Sequence, residues 1–166
     1  MPKTEKIVIN TAPLISIVAA IGDLDVLRSL YAQVLVPFEV CQEIIAGGTS
    51  GFAVPEFEVA NWLEKSPSPL NISPLLLNSL DLGEASVIQL ALNQNIQTVC
   101  IDETVGRRIA RLSGLSLTGS IGILLRAKEE GFPIVMQQAI ERMKNKGIRL
   151  SDTVINFALQ QAGETS

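Results

Sequence analysis

The apolar run Thr98-Val99-Cys100-Ile101 opens directly onto Asp102-Glu103, with Arg107 and Arg108 just beyond. A short β-rich run that ends in a carboxylate is how an open parallel sheet presents ligand-binding groups, because ligands gather in the crevice outside the carboxyl ends of the strands. Asn10 bears the same relation to Lys6-Ile7-Val8-Ile9. If the two runs are neighbouring strands, both polar tips face one crevice. Two further acids lie in apolar helical stretches: Glu43 in Val40-Cys41-Gln42-Glu43-Ile44-Ile45 and Glu84 in Leu82-Gly83-Glu84-Ala85. A partly buried carboxylate needs a partner to offset its desolvation, and several converging carboxylates repel unless a cation sits among them. The chain has no histidine, so oxygen donors must do this work, and they suit Mg²⁺ or Mn²⁺. Glu43, Glu84 and Asp102 are therefore candidate metal ligands and catalytic groups, with Glu103 as a further ligand beside Asp102. Phosphodiester hydrolysis is the default chemistry of such a set, the cation lowering the pKa of a bound water and offsetting transition-state charge. Each acid also has an ordinary reading: Glu43 and Glu84 as solvated helix residues, Asp102 as a strand-end cap, and Glu103 or Thr104 as a helix start.

Composition narrows the classes. The absence of histidine removes Ser-His-Asp triads and most zinc sites. Cys41 and Cys100 lie in apolar segments without CxxC spacing and read as small buried thiols. The net charge of -4 argues against a broad polyanion binder, but the basic residues crowd into the last third of the chain, where a local phosphate-contacting surface is possible. The uncharged run from Ile7 to Gly22 is broken by Asn10, Pro13 and Ser16 and falls short of the ~20 apolar residues of a membrane span. A soluble cytoplasmic protein is expected.

The elements that must position these residues alternate in type. The Lys6–Ile9 strand leads into a helix with Pro13 in its first turn, closed at Gly22-Asp23; a short helix carrying Leu24, Leu27 and Leu30 precedes the strand Val34–Val36. Pro37 opens a helix ending at Gly47-Gly48, and roughly thirty residues without clean periodicity follow, read as a loop-rich insert. A helix from Leu82 leads to the strand before Asp102. The next helix is read with Val105, Ile109 and Leu112 on its core face and Arg107, Arg108 and Arg111 away from it. Leu115–Thr118 is a last short strand, followed by helices over Gly119–Lys128 and Val135–Lys146 and a final one capped by Ser151. Alternating strands and helices imply parallel pairing, hence a three-layer α/β/α sandwich with a central parallel sheet and extra C-terminal helices. One domain over 1–166 is expected, with its core at about 6–125 and a helical extension at about 133–163.

The pieces Ile7-Val8-Ile9-Asn10-Thr11-Ala12-Pro13-Leu14-Ile15, Val36-Pro37 with Glu43-Ile44, Leu80-Asp81-Leu82-Gly83-Glu84-Ala85, Ile101-Asp102 with Gly106-Arg107-Arg108-Ile109-Ala110, and Thr118-Gly119-Ser120-Ile121-Gly122 together resemble the PIN-domain (PilT N-terminus) nucleases. The resemblance covers about Ile7 to Leu125 and points to the PIN-like branch related to VapBC-type toxin ribonucleases. It implies an acidic metal site that cuts single-stranded or structured RNA, in a protein paired with a small antitoxin. By motif position Glu43, Glu84 and Asp102 match the family's second, third and fourth acids, while Asn10 stands where the first aspartate usually is. An amide oxygen can ligate Mg²⁺ but leaves the site one negative charge short. Thr118 and Ser120 match the hydroxyl-bearing turn after the last strand, and Thr11 could add a hydroxyl near Asn10.

The first turn of the helix after Asp102 brings Arg107, Arg108 and Arg111 towards the proposed metal, where guanidinium groups could hold flanking phosphates; the bland reading is a solvated face. The apolar stripe of the last helix packs on the domain or serves a homodimer or an antitoxin groove. Two functions follow. One is a metal-dependent endoribonuclease. The other is a noncatalytic PIN-like module that binds RNA or a small protein, with Asn10 marking a degenerate site.

Overall fold

A computed structural model describes residues 5–47 and 51–165. Gly48, where the sequence reading ended a helix, lies outside that range, as do residues 1–4 and 166. Five strands, β1 (Lys6–Ile9), β2 (Gln33–Val36), β3 (Glu64–Lys65), β4 (Thr98–Cys100) and β5 (Ser116–Thr118), form one sheet in the order β3-β2-β1-β4-β5. Every pairing is parallel. Register sets Ile9 of β1 opposite Cys100 of β4, and Cys100 opposite Thr118 of β5. The polar residues that follow these strands therefore emerge side by side.

Ile7, Val8 and Ile9 are all fully buried, as a central strand covered on both faces requires. Each such aliphatic side chain contributes about 1.5–3 kcal/mol by leaving water. Helices α1 (Thr11–Ile21), α2 (Asp25–Leu30), α8 (Ser120–Glu129), α9 (Met136–Asn145) and α10 (Asp152–Gln161) pack together as one layer. In the other, α6 (Leu82–Gln94) is the central helix, with α3 (Phe38–Ile45), α5 (Pro74–Ser79) and α7 (Thr104–Leu112) against it. The three-layer α/β/α architecture is thus as expected. α1 ends at Gly22, whose φ of 91° puts it in the left-handed region while its N–H closes on Val18. Ser151 caps α10 by accepting from the Val154 N–H at 3.2 Å.

Two expectations are corrected. The insert is not merely loop: its described part holds α4 (Val54–Val59), β3 and α5. Elements of two to six residues are too short to show a period, and tertiary contacts fix them instead. Lys65 Nζ donates to the Phe57 carbonyl at 2.8 Å, and the Leu70 N–H reaches Glu39 Oε2 at 2.8 Å. The buried face of α7 also differs from the reading. Val105 and Leu112 are 58% and 76% exposed, Ile109 is half-buried, and Gly106 and Ala110 make the contact. Small residues let α7 approach the strand ends closely, a face without any bulky apolar signal in the sequence.

Candidate acidic site at the strand ends

The sheet reverses direction of growth between β1 and β4, so the crevice of the switch point lies at Asn10 and Asp102. The Asn10 N–H continues the ladder to the Cys100 carbonyl at 3.1 Å, and α1 begins at once with Thr11. Asn10 is buried and its side chain caps nothing; its Oδ1 has no hydrogen-bond partner. A buried amide oxygen left in this state favours an incoming cation or donor.

Glu43 reaches the same place from α3. The residue is exposed overall, but a methyl group on Gly83 would lie 2.6 Å from Glu43 Oε2 and 3.1 Å from Asn10 Oδ1. Gly83 is small because these two oxygens close over it. Burial raises the Glu43 pKa and the Asp81 charge raises it further, against the lowering effect of the Thr11 hydroxyl. Glu84, buried in the first turn of α6, turns its Oε2 to Gly106 of α7, where a methyl group would collide with the carboxylate and stand 2.9 Å from Ile101 Cγ2. Burial, then the neighbouring Asp81 carboxylate and the Glu103 charge, push the Glu84 pKa up to about 8. Glu84 Oε2, like Asn10 Oδ1, is buried without a hydrogen-bond partner.

Asp102 is held differently. Its Oδ1 accepts from the Ser120 N–H at 2.8 Å and its Oδ2 from the Ser120 hydroxyl at 2.9 Å. Burial raises its pKa, opposed by those two bonds and by Arg107. Arg107 itself turns inward, Nη1 donating to the carbonyls of Ile101 at 2.8 Å and Thr118 at 3.2 Å. It ties the ends of β4 and β5 together beneath Asp102. Gly119 has no room for a side chain, since a methyl group there would be 2.8 Å from Asp102 Oδ1 and 3.0 Å from Arg107 Nη1.

The residues singled out in the sequence thus fall into two groups. Asn10, Thr11, Glu43 and Glu84 form one, with Glu103 adding its field; Asp102, Arg107, Thr118 and Ser120 form the other. Arg108 and Arg111 are exposed on α7. The first turn of α1 stands between two hollows. Thr11 and Glu43 line a cavity of about 280 Å³, and Asp102, Thr118 and Ser120 line a groove of about 760 Å³. Among the described residues no three Asp, Glu or Cys side chains converge as a ready-made metal cluster. The donor set of the first group nevertheless fits a hard divalent cation, since Asn10 Oδ1 and Glu84 Oε2 are buried without hydrogen-bond partners and Asn10 Oδ1 meets the Glu43 carboxylate over Gly83. The acid that sequence reasoning missed is Asp81, the N-cap of α6, whose side chain accepts from the Glu84 N–H at 2.8 Å. The Asp81-Leu82-Gly83-Glu84 spacing is a capping-box signature that could have paired the two acids.

A doubly wound parallel fold with acids gathered at its switch point defines the class of protein. A family profile described as a PIN domain matches residues 6–164, running past Leu125 through α9 and α10, and the chain belongs to the PIN-domain family. PIN domains are generally nucleases, and they generally use divalent metals such as Mg²⁺. No curated protein and no solved structure gives a significant match. No helix among the described residues is long and apolar enough to cross a membrane.

Proposed function

We propose that this protein is a Mg²⁺- or Mn²⁺-dependent endoribonuclease, acting as the toxin of a pair with a small antitoxin protein. The carrying observation is the buried, unpartnered Asn10 Oδ1, which meets the Glu43 carboxylate over Gly83 at the end of β1, with a second unpartnered carboxylate oxygen on the adjacent Glu84. Glu43, Glu84 and the Asn10 amide oxygen would hold the cation, which when bound supplies Lewis-acid stabilisation of phosphoryl charge and a more acidic water. The raised pKa of Glu84, about 8, means that its carboxyl keeps a proton near neutrality in the absence of a cation and would give it up on ligating one. Asp102, fixed by Ser120 on both oxygens, would supply a set charge at the neighbouring strand end.

The test is incubation of purified protein with end-labelled RNA in Mn²⁺, Mg²⁺ or EDTA beside Asp102→Asn. Asparagine is isosteric and can keep both Ser120 bonds, so the fold should survive. Cleavage should need metal and fall at least ~100-fold in the variant, as for loss of a positioned acid-base or electrostatic group. Equal cleavage by parent and variant would remove Asp102 from the mechanism.

One observation favours the noncatalytic reading: the first acid is replaced by neutral Asn10, and Asp102 already spends an oxygen on each Ser120 donor. That reading expects no cleavage and no rise in melting temperature with millimolar Mn²⁺, since only a ligand of the native state stabilises it. Asn10→Asp should then restore the metal response if a single charge is missing.

A further inference from the structure

The groove on the Asp102 side is not closed by the sheet alone. The C-terminal extension lines it as well, through Arg149 before α10 and Val154 and Phe157 on that helix, together with Asp102 and Ser120 from the strand ends. Phe157 is 52% exposed and Val154 37%, and Phe157 is the one aromatic side chain in the exposed class among the described residues. Aromatic surface left in water beside an acidic centre asks for an occupant. The lining limits that occupant: it combines the carboxylates of Asp102 and Glu103 with the guanidinium groups of Arg107 and Arg149 and the ring of Phe157. An anionic chain carrying flat apolar groups fits this lining, its phosphate on arginine and its ring on phenylalanine.

We propose that the groove is a nucleotide subsite, in which one base of a single-stranded RNA stacks on Phe157 while an adjoining phosphate pairs with Arg149. This rests on the nuclease reading and extends it by giving the C-terminal helix the task of seating the strand. Stacking on a phenyl ring is tolerant of base identity, so the subsite sets the register of the strand and not its sequence.

The test uses the full chain in EDTA, so that binding is read without cleavage, and a fluorescein-labelled single-stranded oligoribonucleotide. Phe157→Ala should weaken binding about tenfold, and Phe157→Trp should restore it, the scale expected of one stacked base. A scan of abasic positions along the same RNA should show one position at which Phe157→Ala no longer matters. Arg149→Ala should weaken binding of all sequences alike and lower the salt slope by about one. In Mn²⁺, Phe157→Ala should raise KM with kcat little changed. If the parent binds RNA and Phe157→Ala binds within about twofold of it, the subsite is wrong while the nuclease reading stands. If the parent neither binds nor cuts RNA, both fall. Loss of a protein partner without loss of RNA binding in Phe157→Ala would make the groove a protein-docking surface and overturn the proposal.

Discussion

Glu84 concentrates the chemistry of the site in one side chain. Its pKa of about 8 against an ordinary 4.5 means that the native state keeps a proton which the unfolded chain gives up. The native state binds more protons between those values, so stability falls as pH rises from about 4.5 to about 8 and is level on either side. A divalent cation can replace the proton. The melting temperature in EDTA should therefore fall across this window, and the gain on adding Mg²⁺ should be larger at about pH 8 than at about pH 6. Glu84→Gln removes the largest of these titrations and should reduce the slope in EDTA, Glu43 and Asp102 keeping smaller shares of the same sign, with each kcal/mol of relieved charge raising the midpoint by roughly 2–4 °C. Differential scanning calorimetry at the two pH values checks this; an undiminished slope in Glu84→Gln would assign it to another group. Glu43, Glu84 and Asp102 were legible as candidates because acids in apolar stretches stand out. Asp81 did not stand out, for a carboxylate before a helix looks like a cap, which it is, and its nearness to Glu84 is a matter of three-dimensional distance.

At the scale of elements, glycines decide how closely the helices approach the acids. Gly83 lets α6 sit beneath Glu43 and Asn10, and Gly106 lets α7 press on the Glu84 carboxylate. This explains why the face of α7 was misread: Val105 and Leu112 keep helical spacing, but contact is made through Gly106 and Ala110, which contribute almost nothing to an apolar pattern. Arg107 was likewise read as lying away from the core, holding phosphates or solvated, whereas its guanidinium bonds the carbonyls at the ends of β4 and β5. Gly106→Ala should test the packing. Alanine favours helix by about 1 kcal/mol over glycine, yet a rigid site this crowded should lose about 1–3 kcal/mol net by overpacking. Chemical denaturation should show that loss, and combining Gly106→Ala with Glu84→Ala should recover most of it. Additive losses in the double variant would mean that Ile101, not Glu84, meets the added methyl.

For the molecule as a whole, the alternation of strands and helices made the layered architecture readable, whereas the strand order was only a condition on Asn10 and Asp102 being neighbours. β1 pairs with β4 across most of a hundred residues, and no local pattern encodes such a pairing. Nor did the sequence show that the C-terminal helices wall the groove; their apolar stripe fitted domain packing or a partner equally well. Besides the packing of α9 and α10 on the domain, one carboxylate ties that wall in place. Glu164 Oε2 accepts from Lys128 Nζ and the Met136 N–H, both at 2.6 Å, and Oε1 accepts from the Gln137 N–H at 3.0 Å. The carboxylate thereby joins the end of the chain to α8 and to the start of α9. Slight burial works against its charge, but Lys128 and the two amide donors prevail and hold its pKa below the usual value. A lowered native pKa stabilises above the unfolded value near 4.5, and that contribution disappears as pH falls through the native one. Glu164→Gln should cost about 1–2 kcal/mol at neutral pH, the scale of a charge-assisted hydrogen-bond set that is partly exposed. The difference from the parent should shrink in acid. Hydrogen exchange should quicken in α9 and α10 before the sheet, because the carboxylate links the extension to the core and not the strands to one another. Uniform quickening across the sheet would show that the extension and the core unfold as one unit, and any effect of Glu164→Gln on RNA binding would then report global stability instead of the wall of the groove.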